Sequence, residues 1–401
     1  MVTYPADWEK VKLADLIIKG GSGGTPNTSK EEYYKGRIPF LSISDITNSN
    51  GYIYRTEKSI SELGLNSSAA WIVPAEALTL AMYASVGKVA ILKKDIATSQ
   101  AFYNMIFSGL GTRDFVYYYL KKFDRDNLWN PLISTGTQAN LNAKKIRNLE
   151  IYLPPLPEQQ AIAATLSYFD EHIDNLTELI EKKKAIRDGA LEDLLSGRTR
   201  LDGFSGEWIK VELGEISELQ DGTHGTFRRT NEGHYLLSAK NVFNNKLVIT
   251  ENESRVSDYD FEKITANGFP QIGDILMSCV GTIGRCCICD VDGLAFQRSV
   301  AFIRSRLVDN FFLLYVLQGA SVQAQLLSSM NASAQGGIYL GALKRISLQI
   351  PVNATEQQAI AEILMAMDEE IESLETEKEK MMQIKEGAMD DLLTGRVRLK
   401  V

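Results

Sequence analysis

The chain has 401 residues, enough for two or three domains, and its 44% hydrophobic and 23% charged content is typical of a folded globular protein. No apolar run approaches the roughly 18 to 20 residues of a membrane span, and the N-terminus lacks a signal pattern, so we expect a cytoplasmic protein without membrane contact. The net charge of −8 does not exclude nucleic acid as a partner, because residues 1–157 carry 18 Lys and Arg against 14 Asp and Glu.

Residues 1–157 are the first predicted globular domain. Short β-branched and aromatic runs at 38–43, 88–92 and 102–107 are separated by Gly, Asn and Ser turns, and a helical pattern follows at 113–123. This mixture predicts an α+β domain built on small, curved sheets.

A glycine-rich loop at 20–26 opens this domain. Backbone amides of such loops can approach a phosphate closely, although a tight turn between strands is an equal alternative. Lysine can contact phosphate and glutamine can read adenine, but a solvated surface charge is the alternative for any single lysine. The candidate nucleic-acid contacts are Gly23, Gly24, Thr25, Lys88, Lys93, Lys94, Gln100 and Gln138.

Residues 158–201 are predicted to form one long helix of about 1.5 Å rise per residue, or roughly 58 Å for its helical part. Pro157 precedes the helix, and Gly197 stands where a left-handed cap would end it. Apolar residues recur at alternating steps of four and three, which is typical of a coiled-coil seam. The predicted seam positions of this helix are Ile162, Leu166, Phe169, Ile173, Leu176 and Ile180.

Residues 202–355 are the second predicted α+β domain, with a helical pattern at 310–327 and a loop at 221–229 that matches the glycine-rich loop of the first domain. Its candidate contacts are Thr223, His224, Arg228, Arg229, Arg285, Gln297, Arg298 and Gln335. Gln297 and Gln335 flank strand and loop positions similar to those of Gln100 and Gln138 in the first domain. The four cysteines fall within 279–289 as C-x6-C-C-x-C, without the paired C-x2-C spacing of zinc sites. We expect reduced thiols packed in a core and no bound metal.

Residues 356–401 repeat the first helix at an offset of 198. The sequence EQQAIA occurs at 158–163 and at 356–361, and residues 189–198 align with residues 387–396 without a gap. The second seam consists of Ile360, Leu364, Met367, Ile371 and Leu374. Chain order makes two such helices antiparallel if they pack together, with a pseudo-twofold axis between them.

Weaker similarities surround the helices. Trp8 and Trp208 stand in related segments, and residues 85–88 resemble residues 279–282. The chain is therefore predicted to be two copies of one unit, whose helices are similar and whose globular parts have diverged. Dinucleotide, P-loop, catalytic-triad and nuclease motifs are missing from the sequence, so we expect a non-catalytic chain that binds no cofactor.

The paired EQQAIA segments, the helix ends at 193–197 and 391–395, and the loops at 23–26 and 221–225 resemble the specificity subunits of Type I restriction–modification systems. The resemblance implies two target recognition domains, each reading one half of a bipartite site in double-stranded DNA. It also implies that the helices set the spacer and dock two methyltransferase subunits, which two restriction subunits can join. Two other interpretations stay open, namely a specificity module of a fused restriction–methylation enzyme and a structural coiled-coil scaffold.

Overall fold

The computed structural model describes residues 4–135, 139–266, 268–331 and 336–400, and it divides into two compact units. The first unit comprises residues 1–177 and 377–401, and the second comprises residues 178–376. Each unit therefore holds one globular part, the first half of one long helix and the last part of the other.

The first unit contains two small sheets and two strand pairs. Its strands are β1 (Glu9–Lys12), β2 (Ile17–Ser22), β3 (Ile38–Leu41), β4 (Tyr52–Ile53), β5 (Lys58–Ile60), β6 (Ile72–Val73), β7 (Leu78–Ala81), β8 (Val89–Leu92), β9 (Ile96–Thr98), β10 (Phe102–Phe107), β11 (Ser134–Thr135), β12 (Ala139–Asn140) and β13 (Glu150–Leu153). Its helices are α1 (Leu13–Leu16), α2 (Ile43–Thr47), α3 (Glu62–Asn66), α4 (Leu110–Arg125), α5 (Ala143–Arg147) and the start of α6 (Leu156–Leu195).

The larger sheet of this unit has the order β2-β10-β7-β8-β4, and the smaller one has the order β5-β3-β9-β6. The strand β1 pairs with β13, which brings the start of the domain beside the start of α6, and β11 pairs with β12. The main core lies between the larger sheet, α4 and the long helices, and it contains Trp8, Phe115 and Leu166. The predicted α+β class is confirmed for this half of the chain.

The second unit repeats this plan with shorter sheets. Its strands are β14 (Trp208–Glu212), β15 (Ser217–Asp221), β16 (His234–Leu237), β17 (Val242–Phe243), β18 (Lys246–Leu247), β19 (Arg255–Val256), β20 (Ile275–Ser278), β21 (Cys286–Ile288), β22 (Ala295–Phe296), β23 (Val300–Ser305) and β24 (Ser347–Pro351). Its helices, besides the end of α6, are α7 (Leu213–Ile216), α8 (Asp258–Thr265), α9 (Asn310–Gln318), α10 (Ala320–Asn331), α11 (Leu340–Lys344) and the start of α12 (Ala354–Leu392).

The order β15-β23-β20-β21 corresponds to β2-β10-β7-β8 of the first unit, and β14 pairs with β24 as β1 pairs with β13. The prediction of one continuous helix over 310–327 is wrong. The helix is interrupted at Gly319, and the two helices α9 and α10 lie at an angle of 62° to each other. Gly319 has an extended ψ of 147°, and the amide of Ala320 donates to a carboxylate oxygen of Glu192 at 2.8 Å.

Both long helices end as the sequence predicts. Gly197 and Gly395 have φ angles of +66° and +70°, which glycine adopts without a Cβ penalty. Beyond each glycine the backbone turns back to the last turn, with Thr199 N donating to Asp193 O and Val397 N donating to Asp391 O.

The repeated E-Q-Q segment has a structural role that sequence reasoning did not assign. In the first unit, Arg398 donates to both carboxylate oxygens of the buried Glu158 at 2.6 and 2.7 Å. In the second unit, Arg200 does the same to the buried Glu356 at 2.7 and 2.8 Å. The neighbouring glutamines, Gln159 and Gln357, donate to the carbonyls of Pro154 and Pro351, respectively. The end of one long helix is thus ion-paired to the beginning of the other in each unit.

The same pseudo-symmetry fixes the antiparallel pairing. Lys385 binds Asp170 in the first unit, and Arg187 binds Asp368 at 2.9 Å in the second. In each unit, a tyrosine of the globular part also donates to the aspartate at 2.7 Å, Tyr118 in the first and Tyr315 in the second. All four charged residues are shifted by 198 between the units, so the predicted helix alignment is confirmed.

The seam positions are buried or half-buried throughout. The first seam residues of each helix also belong to a globular core. Ile162 and Leu166 pack into the first core beside Met389 and Leu392, and Ile360 and Leu364 pack into the second core. The globular parts therefore cover the first turns of each helix, so these seam residues also contribute to the two globular cores.

A second, half-buried lysine lies near the ion pair of Lys385 with Asp170 in the first unit, and it leads to a prediction about pH. Lys121 lies 3.9 Å from Asp170, and burial lowers the pKa of Lys121 to about 8 despite this carboxylate. The unfolded pKa is near 10.4, so the folded state holds fewer protons between pH 8 and 10.5, and stability should rise with pH across that range. Lys121→Met should stabilise the protein at pH 7 by on the order of 1 kcal/mol and flatten this rise.

The measurement is urea unfolding at pH 7, 8, 9 and 10. Lys94→Met, which changes an exposed lysine of the same unit, is the matched control and should behave as the wild type. A destabilised Lys121→Met protein at pH 7 would show that the pairing with Asp170 outweighs the burial of the ammonium group.

Candidate nucleic-acid interface

The glycine-rich loop of the first unit begins where the edge strand β2 ends. Gly23 N donates to Ser99 O and Gly24 N donates to Thr98 O, both at 3.2 Å. A Cβ atom on Gly23 would lie 1.8 Å from Thr98 O, so only glycine permits this approach. Since both amides already donate within the chain, a phosphate would have to bind other groups of the loop.

Two candidate side chains meet at this loop. The hydroxyl of Thr25 donates to Oε1 of Gln100 at 2.7 Å, and both residues are exposed. This bond fixes the plane of the Gln100 amide and leaves its NH₂ group available as a donor.

The second unit repeats the backbone contact of this loop. Thr223 N donates to Phe296 O at 2.8 Å, as Gly24 N does to Thr98 O, and Arg298 N donates to Thr223 O at 3.0 Å. His224 lies 2.9 Å from a carboxylate oxygen of Asp221 and is largely exposed. Both units therefore place a threonine-containing loop against the segment that enters the strand β10 or β23.

Strand register shows which residues are equivalent in this arrangement. Tyr103 pairs with Ser22, and Ala301 pairs with Asp221, the last residue of the corresponding edge strand. Counting back from these residues, Gln100 corresponds to Arg298, whereas the sequence comparison had matched it with Gln297. Arg298 is exposed, and Gln297 is half-buried with its amide bonded to Leu237 O at 2.9 Å.

A second shared element is the hairpin between β7 and β8 and its counterpart between β20 and β21. Gly87 N donates to Ala81 O in one, and Gly284 N donates to Ser278 O in the other, both at 2.9 Å. Lys88 therefore corresponds to Arg285. The sequence match of residues 85–88 with 279–282 is wrong, because residues 282–285 occupy that place.

The basic candidates differ in whether their side chains already have a partner within the chain. Lys88 pairs with Asp124 at 3.0 Å, Lys93 with Glu76 at 3.1 Å, and Arg285 lies over the Phe243 ring at 5.0 Å. Over the part of the chain that the structure describes, the exposed side chains without a hydrogen bond or ion pair include Lys94, Arg228, Arg229 and Arg298. Gln138 and Gln335 lie outside the described residues.

Sequence reasoning missed one buried residue beneath the first loop. Asn104 stands in the middle of the otherwise apolar strand β10, and it is fully buried. Its side-chain amide donates to Gly21 O at 3.0 Å and to Thr98 Oγ1 at 2.8 Å. An asparagine inside a run of Phe, Tyr, Met and Ile was the available signal, because a buried amide requires partners.

The cysteines belong to the core, as expected. Cys279 and Cys286 pack in the main core of the second unit, and Cys287 and Cys289 pack on the other side of its sheet. Burial raises the pKa of the thiols of Cys279 and Cys287 to about 12 and that of Cys289 to about 11. Groups of three or more His, Cys, Asp or Glu residues able to hold a metal were not found among the described residues.

Within the described ranges, no single helix has the length and apolar composition needed to cross a membrane. The bent pair α9 and α10 passes that test only when its two helices are taken together, and α9 is largely buried in the core.

Comparison with known proteins places this fold. A family model described as the Type I restriction modification DNA specificity domain matches residues 5–185 and again residues 205–383. The MjaVIII specificity subunit of Methanocaldococcus jannaschii is 27% identical over 420 aligned positions, covering 99% of this chain and 94% of that protein. The HindI specificity subunit of Haemophilus influenzae is 31% identical over 48% of this chain and 42% of that protein.

Solved structures agree on the fold. The crystal structure of a Type I restriction–modification S subunit from M. genitalium superposes with a TM-score of 0.64 at 17% identity, covering 98% of this chain and 97% of that one. Since the family match occupies most of the chain and occurs once in each half, the protein belongs to the family of Type I restriction–modification DNA specificity subunits.

Proposed function

We propose that the chain reads a bipartite site in double-stranded DNA, with residues 1–157 and residues 202–355 each recognising one half. The observation that carries this proposal is the equivalence of Gln100 and Arg298, which are exposed at the same place in two otherwise diverged domains. Glutamine pairs bidentately with adenine and arginine with guanine, so unlike residues at one position suit unlike half-sites.

The remaining candidates surround these two positions. Thr25, Thr223 and His224 share their loops, and Lys88 and Arg285 share the neighbouring hairpins. Lys94, Arg228 and Arg229 are exposed cations suited to phosphate contacts, which supply sequence-independent affinity. Gly23 and Gly24 support the proposal through the close packing of their loop, and Lys93, Gln138, Gln297 and Gln335 remain proposed contacts.

We propose further that residues 158–201 and 356–401 set the spacer between the half-sites. Both long helices begin in one unit and end in the other, and each has about 40 residues, or roughly 60 Å at 1.5 Å per residue. Half-sites one turn of DNA apart are about 34 Å from centre to centre, which helices of this length can span.

Membership of this family supports a proposal about the partners. We propose that two methyltransferase subunits dock on the helices and carry the adenine-methylating chemistry, that restriction subunits can join them, and that this chain itself is not catalytic. A specificity module of a fused enzyme or a pure scaffold is the competing function.

The first experiment is methyladenine sequencing of the host genome with the gene present and deleted. We expect methylation at one split motif to disappear on deletion. Exchanging residues 1–157 for those of another family member should then change one half-site only. A scaffold would leave methylation unchanged, and a change in both half-sites would contradict modular reading.

The exposed arginine pair of the second domain gives a quantitative prediction. Arg228→Ala with Arg229→Ala should weaken DNA binding by the assembled complex equally across sequences. The slope of log K against log salt should fall by about 2, because two phosphate contacts are lost. The measurement is a filter or fluorescence titration at several salt concentrations.

Lys344→Ala with Arg345→Ala is the matched control, because it removes two adjacent exposed cations from the same unit. The control should leave the salt slope unchanged. Equal slopes for both double variants would contradict a specific phosphate contact at Arg228 and Arg229.

A further inference from the structure

We propose that Asn104, together with Thr79 and Thr98, is a positioning residue for DNA reading by the first domain. It holds the loop that presents Gln100, and so sets selectivity at the first half-site. This inference rests on the proposed function.

The three side chains form a closed buried cluster. Thr79 on β7, Thr98 on β9 and Asn104 on β10 are all fully buried. Thr79 Oγ1 donates to Asn104 Oδ1 at 2.9 Å, and Asn104 Nδ2 donates to Gly21 O at 3.0 Å and to Thr98 Oγ1 at 2.8 Å. The amide oxygen and both amide hydrogens are therefore in use, as a buried polar group requires.

The cluster lies at the base of two loops, residues 23–26 after β2 and residues 99–101 between β9 and β10. Its partners Gly21 and Thr98 stand at the roots of the two loops, which are joined above it by the bonds of Gly23 and Gly24 to Ser99 and Thr98. At the top, Thr25 fixes the Gln100 amide at 2.7 Å. A shift of either root would move Gln100 relative to the DNA, and base reading tolerates little displacement.

The second unit shows that the fold does not need these polar groups. Strand register pairs Asn104 with Gly21 and Thr79, and it pairs Phe302 with Gln220 and Leu276. The equivalents of Asn104, Thr79 and Thr98 are thus Phe302, Leu276 and Phe296, which pack in one apolar cluster. The Phe296 and Phe302 rings meet edge to face with centroids 5.5 Å apart.

An apolar core is the simpler solution for the same backbone, because it leaves no polar group to satisfy. The polar version ties a side-chain amide to the backbone of the loop itself, at Gly21 O, which packing alone does not do. Directional bonds to the loop are what positioning of a base-reading side chain demands.

The test uses the complex purified with its methyltransferase subunits and measures adenine methylation on duplexes in which each half-site base is replaced in turn. The variant is Thr79→Val, Thr98→Val and Asn104→Leu together, which makes the cluster apolar at nearly constant volume. We expect discrimination at one or more positions of the first half-site to fall at least tenfold, while discrimination at the second half-site stays unchanged. The second half-site is therefore an internal control for folding and assembly.

Two further variants sharpen the result. Gln100→Ala should affect the same half-site as the triple variant, because it removes the side chain that the cluster positions. If the triple variant does not fold, Asn104→Ser decides, because a hydroxyl has one donor and cannot serve both Gly21 and Thr98.

Unchanged discrimination by a folded variant, or an equal loss at both half-sites, would overturn the positioning role. A wild-type complex without any half-site discrimination would instead refute the proposed function.

Discussion

Arg200→Ala is expected to lower the free energy of unfolding by about 3–5 kcal/mol, because it leaves a buried carboxylate without its partner. Glu356 is only 1% exposed, and Arg200 is its bidentate donor at 2.7 and 2.8 Å. Arg200 also donates to Gly206 O at 3.0 Å and lies over the Trp208 ring at 5.8 Å. Its loss should therefore also disturb the segment that connects α6 to β14. Chemical unfolding of the purified chain measures the change.

The matching change in the first unit is Arg398→Ala. Its expected cost is smaller, about 2 kcal/mol, because Arg398 is more than a third exposed and solvent screens its pairing with Glu158. Lys182→Ala, which removes an exposed helix pair with Glu178, is the control and should leave the free energy of unfolding nearly unchanged, because solvent screens this pair.

The neutral double variant Glu356→Gln with Arg200→Met distinguishes the effect of a buried, unpaired charge from the effect of lost packing. It should regain much of the stability that Arg200→Ala loses, because no charge remains buried. A double variant as unstable as Arg200→Ala would mean that packing against Trp208, and not charge burial, dominates.

Leu166→Asp with Leu364→Asp should abolish cooperative folding of both units. Each leucine is fully buried in the core of its own unit, and an unpaired carboxylate there costs more than about 4 kcal/mol. We expect a large loss of helical circular dichroism at room temperature.

Ala164→Asp with Ala366→Asp is the matched control, since both alanines are exposed on the same helices. The control should melt within a few degrees of the wild type. An unchanged melting transition of the leucine variant would refute the burial of the seams.

The helices were predictable from sequence because their rules are local. The apolar steps, the glycine caps at Gly197 and Gly395 and the 198-residue offset all follow from short-range geometry. The ion pairs of Glu158 and Glu356 were not predicted, because their partners lie 240 and 156 residues away along the chain, in opposite directions.

The globular parts were predicted in class but not in register. Few residues are shared between the two hairpins, so the sequence match fell on the wrong Val-Gly pair, and Gln100 was matched with Gln297 in place of Arg298. Backbone hydrogen bonds define these equivalences, and such bonds place few constraints on which side chains occur.

Among the site residues, the meeting of the glycine-rich loop with Gln100 depends on tertiary contacts between β2 and β10, which spacing alone does not reveal. The ion pair of Lys93 with Glu76 is equally non-local. The helix break at Gly319 shows the opposite failure, since an apolar pattern continues through a glycine that the backbone uses to change direction.

The discontinuous first unit also determines the order in which the protein can be completed on the ribosome. Residues 178–376 form the second unit from one unbroken stretch, so its core can close once that stretch has emerged. The first unit must wait for Met389, Leu392 and Leu393 of its core and for Arg398, the partner of Glu158. Although its globular part is translated first, the first unit is therefore completed last, which reverses the usual N-to-C order of domain folding.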